Sequence, residues 1–346
     1  MSESTGTKQP ACSRKEVPGR CASQVAVAQD YPKMNLRMAH AFPAGWAQTK
    51  VDQWWADQIR ERSGGNIRIT IMWAGAGGKP LEILRLVQTG AVDLGAVPPS
   101  YFPDDLPLSG APNSLPLTFK TNEEASNVME GLVKNVTAIQ DELKRNNIYP
   151  LFFHTLNTYQ PLCTKPIGKL KDFDGMRIRS FGAYQPSLWS SLGAVGVNVL
   201  PAELYEGLQR GRLDCGFFST DLYASTKLYE VAKFLTSIGF GPQPTWPIWV
   251  NYEKWETEYP DNVKKLFMEV SEEARLKSLK EVAEAREGSL NMMIENGVTV
   301  VEFADEEALL KQAPDFKQVW LEAMQAKGIG PQAQSVLEYW NNNAIK

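Results

Sequence analysis

From residue 35 onward the chain switches repeatedly between two hydrophobic rhythms, apolar at every second position or at every third and fourth, and each switch predicts a change of element. Segment 35–41 reads as a strand that runs out at His40-Ala41-Phe42-Pro43-Ala44-Gly45-Trp46. In 47–62, Val51, Trp54, Trp55 and Ile59 fall on one helical face, and Gly64-Gly65 supplies the stop. Ile67, Ile69 and Ile71 alternate as a second strand. Six prolines make 98–116 loop-rich, and Thr121 with Glu124 forms a capping box for a helix, followed by another through Glu142. Segment 148–155 is a strand leading into a second half. There, Gly175 opens Met176-Arg177-Ile178-Arg179-Ser180, with both cations on one face, and the strand breaks at Phe181-Gly182. A short helix at 187–191, a strand at 197–200, a helix at 221–233 and a strand at 245–251 follow, the last crossing back to the first half. From 261 to 296 one helical pattern persists, about 50 Å at 1.5 Å per residue, long enough to span two lobes. Shorter amphipathic helices are predicted at 316–327 and 333–343.

One unit occurs twice. Glu82 through Gly95 and Glu203 through Gly216 share Glu, Gln, Gly, Asp and Gly at identical spacing, with apolar residues between. A helix–turn–strand unit repeated once per half predicts two similar α/β lobes facing across a cleft, with Arg179 pointing into it. A strand end is where α/β ligands bind, and a guanidinium there matches a carboxylate; a surface or inter-lobe ion pair is the competing use of Arg179. Phe217 and Phe218 end the matching strand on opposite faces, so one packs and the other reaches the cleft, or both pack.

Composition narrows the classes. The 346 residues, 43% hydrophobic and 22% charged, suit a two-domain globular protein, and no apolar run reaches membrane-span length. A net charge of −4 with interspersed cations argues against a nucleic-acid partner. Two histidines and four widely spaced cysteines offer no zinc pattern, no nucleophile with a plausible base, and no cofactor motif, so an enzyme is not expected. Gly75-Ala76-Gly77-Gly78-Lys79-Pro80 lacks the phosphate-loop spacing and reads as a plain loop. His40, at a strand end, is either hydrogen-bonded in place or a ligand contact; His154, inside an apolar strand, is structural. A Cys163–Cys215 disulfide depends on a Cα separation within about 7 Å. Residues 1–29 are polar and aperiodic, a leader or disordered segment: Ala26-Val27-Ala28 matches a signal-peptidase site without the apolar region that should precede it.

Leu170-Lys171-Asp172-Phe173-Asp174-Gly175-Met176-Arg177-Ile178-Arg179, Leu192-Gly193-Ala194, Leu200-Pro201-Ala202-Glu203-Leu204-Tyr205 and Leu208-Gln209-Arg210-Gly211-Arg212-Leu213-Asp214 resemble the DctP-type solute-binding proteins of tripartite ATP-independent periplasmic (TRAP) transporters. Ser63-Gly64-Gly65, Leu115-Pro116-Leu117 and the long helix after Tyr259-Pro260 extend the resemblance to the C-terminus. It implies a bilobal periplasmic-binding-protein-like α/β fold, with lobe I at 30–155 and 244–283, lobe II at 156–243 and 284–346, and the long helix spanning both. It also implies a periplasmic monomer that delivers its ligand to an ion-coupled TRAP permease, and a role for Arg179 in binding the ligand carboxylate. Where sialic-acid and many dicarboxylate binders carry a second Arg, this chain has Tyr159; where such members place an Asn, it has Phe218; the Trp-Glu pair of metal-assisted 2-oxo-acid binders is missing. One cation among aromatic residues suits a monocarboxylate with an apolar or aromatic body. The expected ligand-binding residues are Arg179, Tyr159, Phe218, Phe181, His40, Phe42, Trp46, Tyr101 and Trp246. A C4-dicarboxylate or other organic-acid binder, a two-lobed enzyme and a sensor module are the alternatives.

Overall fold

The computed structural model describes residues 30–345, arranged as two sheets flanked by helices. The leader expectation, with Cys12 and Cys21, lies outside the described residues. One sheet is built from β1 (Met34–His40), β2 (Ile67–Met72), β3 (Leu94–Ala96), β4 (Ile148–Leu156) and β10 (Gln243–Asn251), in the order β2-β1-β3-β10-β4. The other holds β5 (Gln160–Cys163), β6 (Arg177–Ser180), β7 (Val195–Asn198), β8 (Cys215–Phe218), β9 (Phe234–Thr236) and β11 (Thr299–Val301), in the order β11-β9-β5-β8-β6-β7. The chain passes between sheets at 157–159, at 237–242 and through the long helix that follows β10, so each sheet draws strands from separate stretches of sequence.

The repeated unit folds twice in the same way. Helix Ile83–Gln88 ends at Gly90 (φ +69°) and helix Leu204–Gln209 at Gly211 (φ +67°), left-handed turns that a side chain would strain. Each turn then delivers an aspartate to a neighbouring strand. Asp93 accepts the Arg37 N–H at 2.8 Å and returns its own N–H to the Arg37 carbonyl; Asp214 accepts the Arg177 N–H at 2.9 Å and does the same. The repeated spacing is thus a device for fastening a helix–turn to an interior strand of each sheet.

Helix Asp261–Glu295 runs 35 residues and reaches both layers. Trp55 Nε1 donates to Ser271 Oγ at 3.0 Å, His154 meets Ser278 Oγ at 2.7 Å, and Asn157, in the first crossing, donates to the Val282 carbonyl at 2.8 Å. Cys163 and Cys215 are register partners of the β5–β8 ladder, with Cα atoms 4.0 Å apart, and are joined as a disulfide.

Two expectations change. The helix predicted over 221–233 stops at Ser225, because Lys227 takes a left-handed conformation (φ +57°) and a short turn replaces the second half. Helices Phe316–Ala326 and Gly330–Asn343, expected with the second lobe, pack on the first-sheet side instead. Trp340 stacks on Phe119 at 4.9 Å, Trp320 Nε1 donates to the Pro107 carbonyl at 3.0 Å, and Tyr339 accepts from Asn135 at 3.2 Å. Their apolar stripes need a buried partner, and periodicity does not say which.

Candidate functional site

β6 separates two arginines that share one strand face. Arg177 remains at the surface and is bound by Asp214, Nε to Oδ2 at 2.8 Å and Nη2 to Oδ1 at 2.9 Å. Arg179, at the strand's inner end, is 2% exposed. Its Nη1 donates to the Phe217 carbonyl at 2.9 Å and its Nε to the Val199 carbonyl at 3.4 Å. The guanidinium carbon lies 4.6 Å from the Phe181 ring centre and 4.7 Å from that of Phe218, so two rings lie within cation–π distance of it. Two backbone carbonyls and the Tyr159 hydroxyl lie against it, and no carboxylate among the described residues pairs with it. A buried guanidinium balanced only by dipoles favours an anion brought from outside.

Tyr159 packs edge-on to Phe181, Phe217 and Phe218 at 5.9, 5.1 and 5.7 Å. Burial pushes its phenol far up, against the pull of the nearby Arg179 charge. Burial likewise pushes the Tyr101 phenol up to about 12, with Arg179 again opposing. Both hydroxyls therefore stay protonated at neutral pH and able to donate to an oxyanion.

From the first-sheet side come Phe42 and Trp46, stacked at 4.9 Å, and Trp246, 4.4 Å from Phe42. Trp46 meets Phe218 edge to face at 5.9 Å, closing the cleft from opposite sides. Trp246 reaches this wall from an irregular part of β10: register with β4 slips between Pro244 and Pro247, and prolines free the strand from regular pairing there. All these rings but Phe217, with Ser100, Asn113 and Thr245, line one cavity around Arg179. Its interior is about 20 Å³, room for a water molecule or two, and larger apolar clefts of about 420 and 440 Å³ adjoin it past Tyr101. An organic acid enters only if the walls part.

The structure thus brings together Arg179, Tyr159, Phe218, Phe181, Phe42, Trp46, Tyr101 and Trp246, and leaves out His40. That residue is fully buried behind the wall: its Nε2 lies 2.9 Å from Asp52 Oδ2, and its Nδ1 accepts the Phe42 N–H at 3.0 Å. With both nitrogens engaged, it has none to offer a ligand. Asp52 also takes His154 Nε2 on Oδ1 at 2.8 Å and Trp246 Nε1 on Oδ2 at 3.2 Å. Burial alone would raise the Asp52 carboxyl, but His154 and His40 reverse this and hold it well below the ordinary carboxylate range. Sequence reading missed Asp52, Ser100, Asn113 and Thr245. The signal for Asp52 was present: it sits one turn from Gln48 and from Trp55 on the buried face of its helix.

Comparison with known proteins adds an independent line. The model of the family described as bacterial extracellular solute-binding protein, family 7 (DctP), matches residues 38–328. A monocarboxylate 2-oxoacid-binding periplasmic protein of Nostoc sp. is 25% identical over 288 residues, 81% of this chain and 77% of its own length. Among solved structures, a TRAP periplasmic solute-binding protein of Sulfitobacter with bound β-D-galacturonate superimposes with a TM-score of 0.78 at 19% identity, covering 89% of this chain and 99% of its own. An extracytoplasmic solute receptor of Bordetella pertussis binding pyroglutamic acid gives 0.77 at 19% identity, with the same coverage.

Proposed function

Because the chain belongs to family 7 of the bacterial extracellular solute-binding proteins, whose members are receptors and not enzymes, we propose that it captures a small monocarboxylate with an apolar body between its two lobes. It then delivers that acid, in the periplasm, to a TRAP-type ion-coupled permease. No helix among the described residues is long and apolar enough to cross a membrane.

The observation that carries the reading is the buried Arg179, with the Phe181 and Phe218 rings against its guanidinium and no carboxylate among the described residues to pair with. A carboxylate occupying the remaining guanidinium edge, with the Tyr159 and Tyr101 hydroxyls as further donors, neutralises that charge. The rest of the ligand then meets Phe42, Trp46, Phe218 and Trp246. A second carboxylate, or the hydroxyls of a uronate, placed against those rings leaves polar groups unpaired at about 1–3 kcal/mol each. The acids named for the Nostoc and Bordetella relatives support a single carboxylate; the uronates of other solved relatives favour a more polar ligand.

A thermal-shift screen followed by calorimetry tests this. Monocarboxylates with apolar bodies should stabilise the protein, and Arg179→Ala should abolish the effect. Stabilisation by C4-dicarboxylates or uronates alone would overturn the monocarboxylate reading.

A further inference from the structure

We infer that Asp52 is a positioning residue for ligand capture: its carboxylate fixes the Trp246 indole in the orientation that closes the cavity over Arg179. The inference rests on the reading of that cavity as the carboxylate site.

Asp52 does not line the cavity. It sits fully buried on helix Ala47–Arg62, behind the aromatic wall, and its two oxygens receive three donors from three different strands. His40 comes from β1, His154 from β4 and Trp246 from β10. The His40 tautomer is set by its surroundings: Nδ1 accepts the Phe42 N–H, so the proton is on Nε2, directed at Asp52 Oδ2. His154 presents Nε2 to Oδ1 while Ser278 Oγ holds its Nδ1 at 2.7 Å. The imidazoles therefore anchor the carboxylate from both sides, and one lone pair of Oδ2 remains for the Trp246 N–H at 3.2 Å.

That bond adds direction to ring packing, since the buried Trp246 otherwise meets only the rings of Phe42, Trp46, His40 and His154 among its aromatic neighbours. Its strand has lost regular register between Pro244 and Pro247, so ladder bonds do not set the side chain's direction. Its ring is also the one that touches both Phe42, at 4.4 Å, and Trp46, at 6.2 Å, and so sets where the first-lobe wall stands. A single acceptor behind the ring fixes the edge that carries the N–H, a direction that contact between rings does not specify. A buried carboxylate is a costly way to fill space, which argues for a role beyond packing.

The chemistry separates two substitutions. In Asp52→Asn the amide oxygen takes the Oδ2 place, serving His40 and Trp246. The NH₂ then faces His154, which accepts it by moving its proton to Nδ1, toward Ser278 Oγ. Asp52→Leu leaves no acceptor for the indole. Calorimetric titration with pyroglutamate and with 2-oxobutanoate, in wild type, Asp52→Asn, Asp52→Leu, Trp246→Phe and Asp52→Leu/Trp246→Phe, reads the coupling. Expected is a loss of about tenfold or more for Asp52→Leu, near wild-type affinity for Asp52→Asn, and a loss from Asp52→Leu under about threefold once position 246 is Phe. An equal loss in both backgrounds overturns the inference. If Asp52→Leu does not fold, solvent exchange of the Trp246 indole N–H decides, followed by NMR in the wild type and identified by its absence from Trp246→Phe. Slow exchange supports the inference and exchange at the rate of an exposed indole overturns it. Binding of neither probe by the wild type counts against the functional reading, and the exchange measurement still decides the Asp52–Trp246 relationship.

Discussion

The guanidinium of Arg179 lies 4.7 Å over the ring of Phe218, and no carboxylate among the described residues balances it. Cation and ring together make a site that is charged in the middle and apolar around it. Arg179→Ala should therefore cost at least about 1.5–3 kcal/mol of ligand binding, the value of a charge-assisted hydrogen bond, while melting temperature in the ligand-free state changes little. The second half follows because the unliganded arginine is buried without a carboxylate partner among the described residues, so its loss removes a desolvation cost along with two hydrogen bonds to carbonyls. Calorimetry and a melting curve on the same preparation check both; undiminished affinity would remove Arg179 from the site.

Tyr159→Arg brings a second cation into the same enclosure. Tyr159 is 3% exposed and directly beside Arg179, so the two charges repel in the empty protein. The variant should melt below wild type without ligand and regain more stability from a C4-dicarboxylate than from a monocarboxylate. Thermal shifts with succinate and butanoate as probes measure this. Equal shifts from both acids would mean that position 159 does not select ligand charge.

How much of this was legible depends on whether an interaction is local. The repeated Gly-x-x-Asp turn could be read because its bonds join neighbouring strands through fixed spacing, and Asp93 with Arg37 and Asp214 with Arg177 keep the same geometry. Arg179 could be read because a strand end and a break in sequence coincide there. His40 could not: its partner Asp52 lies on the next helix, and whether a strand-end imidazole faces the cleft or the sheet behind it depends on which charge waits there. The final helices were assigned to the wrong side for a similar reason, since an amphipathic stripe specifies burial and not a partner. Short strands such as β9 and β11, three residues each, fall below the length at which alternation is informative.

Two buried aspartates make opposite predictions for pH. The Asp52 carboxyl is held low in the folded state, so its stabilisation is present above the unfolded value of about 4 and disappears as pH falls through the folded one. Asp221, on helix Thr220–Ser225, is raised by burial despite the Asn157 Nδ2 bond at 2.9 Å to its Oδ1. A raised carboxyl binds more protons folded than unfolded, so stability is lost as pH rises from about 4 through the folded value. Asp221→Asn keeps the acceptor for Asn157 and cannot ionise. Denaturant midpoints from pH 3 to 9 should show wild-type stability falling on the alkaline side of about pH 4 by more than in Asp221→Asn. A variant with the same slope as wild type would show that Asp221 does not titrate in that window.

The Cys163–Cys215 disulfide closes a 52-residue separation and lies at the outer end of the β5–β8 ladder, whose inner end carries Gln160 and Phe218. Constraint of the unfolded chain by a loop of this length is worth about 4 kcal/mol in the chain-entropy model, roughly a 6 °C fall in melting temperature when both cysteines become alanine. Ligand affinity should hardly change, because the inner end has its own fastening. The Tyr223 hydroxyl accepts the N–H groups of Phe218 at 2.8 Å and Leu162 at 3.2 Å and donates to the Gln160 carbonyl at 2.7 Å, a wedge that sets where the Phe218 ring stands over Arg179. Tyr223→Phe leaves those backbone groups without their partner and should weaken binding more than loss of the disulfide does, at about 1–3 kcal/mol for each buried group left unpaired. Melting curves and titrations of the two variants side by side check the contrast, and an affinity loss on removing the disulfide as large as that from Tyr223→Phe would show that the covalent link, not the hydroxyl, holds the site.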